Sequence, residues 1–209
     1  MSGTLHRLAR RGLRPAMGES CELCADPIDE RHGHLVDIGE RRLLCACRPC
    51  ALLFTSDGSG GERFRAVPET VRQVTPGSVT SALWDTLSIP VSTAFFFRNS
   101  GLGEVVALYP GPAGPIESQL TLDAWTHVEA AAPEVAAMAH DVEALLVRAE
   151  PDPAGTVEPE AYVVPIDRCY ELSGRLRTVW QGIDGGRDAR DLLDDVFRGL
   201  GAEALRRAR

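Results

Sequence analysis

Residues 21–50 read CELCADPIDERHGHLVDIGERRLLCACRPC, and the spacing of their cysteines decides how the chain begins to fold. Cys21-Glu-Leu-Cys24 is followed, after 22 residues, by Cys47-Arg-Pro-Cys50. Each Cys-x-x-Cys pair makes a tight turn that presents two thiolates. Two such turns complete a tetrahedral four-sulfur site, a geometry that suits zinc. The intervening residues fit that geometry. His34-Leu-Val-Asp-Ile38 and Arg41-Arg-Leu-Leu-Cys45 are strand-like and flank Gly39-Glu40, which predicts a β-hairpin feeding the second turn. Ala51-Leu-Leu-Phe54 can start a short helix after Cys50. The expected ligands are Cys21, Cys24, Cys47 and Cys50.

Cys45 allows a rival set in which it replaces Cys47. The x-x spacing from Cys47 to Cys50 favours Cys47, with Cys45 packed under the hairpin. His32 and His34 could also ligate, but four better-spaced cysteines leave them beside the site. Thirty-odd residues cannot bury a core of their own, so a closed site would act as a structural staple over residues 19–54. The module reads as a zinc ribbon or treble clef. Iron in a rubredoxin-like site is the rival metal, although neither cysteine pair carries rubredoxin-type Pro and Gly flanks. Two paired knuckles also resemble the metal-binding half of HNH nucleases. Arg31-His-Gly-His-Leu-Val-Asp37 lacks the His-His or Asp-His pair that such an enzyme needs.

Composition bounds the rest. The 209 residues are 44% hydrophobic and 25% charged, with a net charge of −8, as in ordinary globular proteins. All 22 basic residues are arginine. The absence of lysine excludes Schiff-base chemistry, a lysine general base, protein kinase chemistry and a Walker-A loop. The acidic balance argues against broad nucleic-acid binding. No apolar core follows the arginine-rich residues 1–18, so a secretory signal is not expected and the six cysteines belong to a reducing, cytoplasmic setting. The expected divisions are a flexible segment 1–18, the metal module 19–54, a linker 55–63 rich in Gly and Ser, and an α+β domain 64–209. No stretch is long and apolar enough to span a membrane.

Within the larger domain, Val91–Arg98, Glu104–Tyr109, Glu143–Ala149 and Ala161–Ile166 read as strands, giving an antiparallel sheet of about four strands with helices to one side. Tyr109-Pro-Gly-Pro-Ala-Gly-Pro115 reads as a break in regular structure. Thr121 or Asp123 is expected to cap a helix through Trp125 and Val128, and Asp167 one carrying Leu172, Leu176, Val179 and Trp180. A last helix from about Asp188 to Ala208 places Leu192, Val196, Leu200 and Leu205 inward. Phe95-Phe-Phe97 and the Tyr109–Pro115 stretch are candidates for a peptide-docking surface. Asp141 and Glu143 read as a solvated pair. Cys169, in the first turn of a helix, is either a reactive thiol or a buried small residue, and Asp167 and Glu171 beside it favour burial. No catalytic set is legible.

Several runs together resemble an uncharacterised bacterial family. They are Cys21–Cys24, Arg42-Leu-Leu-Cys-Ala-Cys-Arg-Pro-Cys50, Ala94-Phe-Phe-Phe-Arg-Asn-Ser100, Tyr109-Pro-Gly-Pro-Ala-Gly114, Asp141-Val-Glu-Ala-Leu-Leu-Val147 and Val164-Pro-Ile-Asp-Arg-Cys-Tyr-Glu-Leu172. That family is a domain of unknown function encoded near uptake nickel–iron hydrogenases. The resemblance implies an accessory protein that supports maturation or assembly of such an enzyme by docking to a hydrogenase subunit or assembly factor. The alternatives are a rubredoxin-like iron protein serving the hydrogenase and a nucleic-acid-binding regulator that uses the ribbon and the arginine arm.

Overall fold

Three consecutive phenylalanines on one strand require cover on both faces of the sheet, because successive side chains point opposite ways. A computed structural model describes residues 19–55, 63–118, 122–151, 155, 158–182 and 185–207 and shows that cover. Phe95, Phe96 and Phe97 are all buried. They lie on β5 (Thr93–Asn99), near the middle of a six-stranded sheet. Its other strands are β4 (Arg72–Gln73), β6 (Glu104–Gly111), β7 (Gly114–Ser118), β8 (Glu143–Arg148) and β9 (Glu160–Pro165). The order is β4-β9-β8-β5-β6-β7, antiparallel throughout.

One face carries Phe95, Phe97, Val106, Leu146, Tyr162 and Val164. It packs on two long helices, which our numbering makes α5 (Ile166–Val179) and α6 (Gly186–Arg207). The other face carries Phe96, Ala107, Leu145, Val147 and Val163. Trp84 covers it from α2 (Ser81–Thr86), Trp125 and Val128 from α3 (Leu122–Ala131), and Val135 from α4 (Pro133–Ala136). The expectation of helices on one side only is therefore corrected, as is the strand count. The two strands missed are two-residue β4, too short to carry a period, and β7.

β7 arises from the stretch read as a break. Tyr109-Pro-Gly and Gly114-Pro-Ile are the two arms of a tight hairpin, with Pro110 opposite Pro115 and Gly111 opposite Gly114. Proline is tolerated there because these residues lie beyond the part of β6 that pairs with β5 and at the sheet's edge. Gly114 has φ +123°, a conformation that L side chains rarely adopt.

A second, three-stranded sheet forms at the N-terminal end, in the order β2-β1-β3. It comprises β1 (Gly33–Asp37), β2 (Arg42–Ala46) and β3 (Phe64–Ala66), with α1 (Arg48–Leu52) directly after β2. The hairpin was legible in the sequence; the third strand, entering from beyond the glycine-rich stretch, was not. Val36 joins the larger core, and Ile38 and Leu43 pack against it, so the small sheet sits on the α5 side of the large one. Asp37, buried at the end of β1, accepts from Arg63 Nε (3.1 Å) and Nη2 (2.8 Å) and from the Glu40 amide (3.1 Å). These bonds fasten the turn to the segment leading into β3.

Three smaller expectations change. Asp141 and Glu143 are buried, not solvated. Asp141 accepts from Ser100 and Arg65, and Glu143 receives the Arg72 guanidinium through both oxygens (3.0 and 3.1 Å). On α6 the buried residues are Ala189, Leu193, Phe197, Leu200 and Ala204, while Leu205 is exposed. Asp167 does not cap α5; its Oδ1 accepts from the Arg168 amide and its Oδ2 from His34. The expected flexible segment 1–18, most of the linker and Thr121 lie outside the described residues.

Candidate metal centre

Two backbone turns bring the four expected cysteines together. In the first, the Ala25 amide donates to the Cys21 carbonyl (2.8 Å) and the Cys21 amide to that of Asp26 (2.8 Å). Ala25 turns the chain with φ +63°. The second turn is the start of α1. Cys47 occupies the N-cap position, Pro49 supplies a pre-set φ in the first turn, and the Ala51 amide returns to the Cys47 carbonyl (2.9 Å). Cys50 therefore lies one turn along the same short helix as Cys47.

Glu22 fixes one turn to the other strand. Its Oε2 accepts from the Cys45 amide (2.7 Å), its Oε1 from Arg42 (2.9 Å), and its own amide donates to the Cys45 carbonyl (2.9 Å). The Cys45 amide, with Arg42 assisting, holds the Glu22 carboxyl below the usual carboxylate range. Beneath the turns lies a small core of Cys21, Leu35, Leu44 and Ala46, edged by Ile28, Phe54 and Phe64.

The Sγ atoms of Cys21, Cys24, Cys47 and Cys50 lie within 4.8 Å of one another and could hold a metal ion. Cys24 and Cys47 approach to 3.6 Å. Cys21 is buried, Cys47 and Cys50 half-buried, and Cys24 exposed. Burial opposes ionisation of Cys21, but the amides of Cys47, Cys24 and Leu23 outweigh it and lower this thiol to about 6. Hydrogen bonding to Cys47, then burial, pushes Cys50 up to about 12.

Cys45 falls in a different group. In the hairpin register it stands directly opposite His34. His34 and Val36 share one face of β1, and Cys45 and Leu43 the matching face of β2, turned toward the larger domain. Leu35 and Leu44 face the other way, into the small core. Burial, then the charges of Glu19 and Glu22, push the Cys45 thiol up.

The remaining candidates do not assemble into a site. Cys169 is fully buried in the larger core, and burial, then Asp167, raises its thiol well above the ordinary range. Burial of all three rings removes Phe95–Phe97 as a docking surface, and the Tyr109–Pro115 stretch is a sheet hairpin. Between the small sheet and the large one lies a cleft of about 330 Å³, lined by Ile38, Arg41, Leu43, Asn99, Ile166 and Tyr170 among others. Sequence reading missed it because its two walls come from segments some sixty to a hundred and thirty residues apart. Among the described residues, no helix is long and apolar enough to cross a membrane.

Fold and site together define a mixed α/β protein with antiparallel sheets of three and six strands and a four-cysteine cluster near its N-terminal end. Over residues 20–204 the chain belongs to a family of unknown function, DUF5947. No curated protein and no solved structure matches it.

Proposed function

We propose that this is a non-enzymatic zinc-binding accessory protein that acts by docking to another protein. Cys21, Cys24, Cys47 and Cys50 are its zinc ligands. The gathering of their four sulfurs carries this reading. The 3.6 Å between Cys24 and Cys47 is close to the ~3.8 Å expected between sulfurs of a tetrahedral site with ~2.3 Å zinc–sulfur bonds. Four thiolates close the coordination shell and leave no position for a substrate, so the ion is a staple for residues 19–54. It would also replace the protons that the crowded thiols otherwise hold. In this reading residues 64–209 form the second domain and 55–63 the joint, with β3 returning to edge the metal module.

The partner, on the family resemblance, is a nickel–iron hydrogenase subunit or assembly factor, and the service is maturation or assembly. The cleft supports docking because it sets apolar Ile38, Leu43 and Tyr170 beside the guanidinium of Arg41. A mix of aromatic, aliphatic and arginine groups is what protein interfaces favour at their centres.

Elemental analysis and an absorption spectrum of protein purified without added metal test the zinc assignment. At least one zinc per chain and no colour are expected. Iron with thiolate charge-transfer bands would replace this reading with an electron carrier. Docking is tested by co-purification with the hydrogenase and its assembly factors. Tyr170→Asp should abolish capture, whereas capture unchanged would remove the cleft from the reading.

A further inference from the structure

The hairpin has a second cluster of metal-binding side chains on the face opposite the small core. One ligand atom from each of His32, His34 and Cys45 lies within 4.8 Å of the others. Their placement follows from strand geometry. His32 and His34 are two residues apart as the chain enters β1, and Cys45 is the cross-strand partner of His34. The two imidazole centroids are 4.8 Å apart.

The hydrogen bonds assign the nitrogens. His34 Nδ1 meets Asp167 Oδ2 at 2.8 Å, and His32 Nδ1 meets the Asp29 carbonyl at 2.8 Å. A carboxylate and a carbonyl accept only, so both Nδ1 atoms carry the proton and both Nε2 atoms present lone pairs. Metal-ligating histidines are commonly oriented in this way, through the other ring nitrogen bound to a carboxylate or a backbone carbonyl.

A further observation singles out His32. Its side chain is 8% exposed, yet its Nε2 is buried without a hydrogen-bond partner. A buried acceptor left unpaired is costly to the fold, and native structures rarely keep one without a reason. A cation between the three groups would satisfy it. The nearby carboxylates of Glu19, 3.6 Å from His32 Nδ1, and of Asp167 add negative charge that favours a cation.

We propose that His32, His34 and Cys45 bind a second zinc-class divalent cation through two Nε2 atoms and one Sγ, leaving one coordination position for water or a donor from a bound molecule. Two imidazoles and a thiolate suit a borderline-soft ion such as zinc or cobalt and disfavour magnesium or calcium. Three protein ligands make an open site, in contrast to the closed four-cysteine cluster across the same hairpin. Asp167 acts as a positioning residue through His34 and connects the site to α5.

Anaerobic titration of the metal-stripped full-length chain with cobalt tests this. Wild-type protein should take up about two equivalents, one with the spectrum of a four-thiolate site and one with that of a mixed nitrogen–sulfur site. His32→Gln, His34→Asn and Cys45→Ser should each take up about one, keeping the four-thiolate spectrum, which doubles as the check on folding. Asp167→Asn should weaken the second equivalent about 10- to 100-fold and leave the first unchanged. Uptake that stops at the four-thiolate equivalent in wild type, or a second equivalent that persists in His32→Gln, overturns the proposal. Since His32→Gln leaves every thiol in place, it decides the matter even if Cys45→Ser fails to fold. A Cys24→Ser chain that still shows the nitrogen–sulfur spectrum would separate this site from the zinc staple.

Discussion

At the scale of single residues, carboxylates with fixed partners organise much of the molecule. Glu134 on α4 accepts from Thr75 Oγ1 (2.6 Å) and from the Thr75 amide (3.3 Å), joining the α4 layer to the segment after β4. The Thr75 hydroxyl, with its amide and the Arg72 charge, holds the Glu134 carboxyl below its ordinary value. A carboxyl depressed on folding stabilises the protein above its unfolded value near 4.3, and that stability is lost as pH falls through the lower folded value. Glu134→Gln should therefore flatten the acid limb of a stability–pH profile measured by urea denaturation, with its difference from wild type largest above about pH 5. A parallel acid limb in both proteins would show that Thr75 contributes nothing there. Asp141 and Glu143 illustrate why the sequence hides such pairs. Their partners Arg65 and Arg72 lie more than seventy residues upstream. Two acids close together with no local base read as solvated, and only the sheet order brings the guanidinium groups to them. The four cysteines were legible for the opposite reason, because each turn is local and its spacing states its geometry.

At the scale of elements, α6 shows how packing divides residues of one type. Gly199 and Gly201 both lie inside this helix. A Cβ on Gly199 would meet nothing, while one on Gly201 would stand 3.0 Å from the Tyr162 hydroxyl. Tyr162 is buried and held by Glu160 at 2.6 Å, so it has little room to yield. Gly199→Ala should stabilise the chain by about 0.5–1 kcal/mol, the helix-propensity gain alone. Gly201→Ala should forfeit that gain and destabilise, and thermal or urea melts of the two variants check the contrast. The inward face of α6 was largely legible in its period, since Leu200 is buried and Leu192 and Val196 pack against the same core. Leu205 fits an apolar series in the sequence, but the buried stripe follows Leu193, Phe197, Leu200 and Ala204. Small alanines pass unnoticed in a search for large apolar residues. The proline-rich hairpin was misread because proline marks loops in isolation, whereas here its missing donor falls where no ladder bond is required.

At the scale of the whole molecule, the cysteine module and the sheet share a core. Val36 is part of the larger hydrophobic cluster, and His34 reaches α5 through Asp167. Disturbing the module should therefore be felt by the entire chain. Chelation should lower the midpoint of the main thermal transition, by about 5 °C or more, when followed through Trp84 and Trp125, which sit in the layer on the far face of the sheet. A chelated protein in which these tryptophans melt unchanged would mean that the module is a mere appendage. This union of the two parts was the least legible feature of all. Composition and the glycine-rich stretch suggest beads on a string, and nothing local reveals that one side of a short hairpin has been drawn into the neighbouring core.

The margins of the large sheet have a consequence for life at high concentration. On one side the outermost strand offers only Arg72 and Gln73 to a newcomer. On the other, the second residue of β7 is Pro115, which has no amide hydrogen, and Glu117 further along adds a charge. A foreign strand seeking to extend the ladder meets a ledge too short to grip or a rim that cannot donate where it must. The six strands are in effect a finished surface, and crowding has no template along them from which to build fibrils.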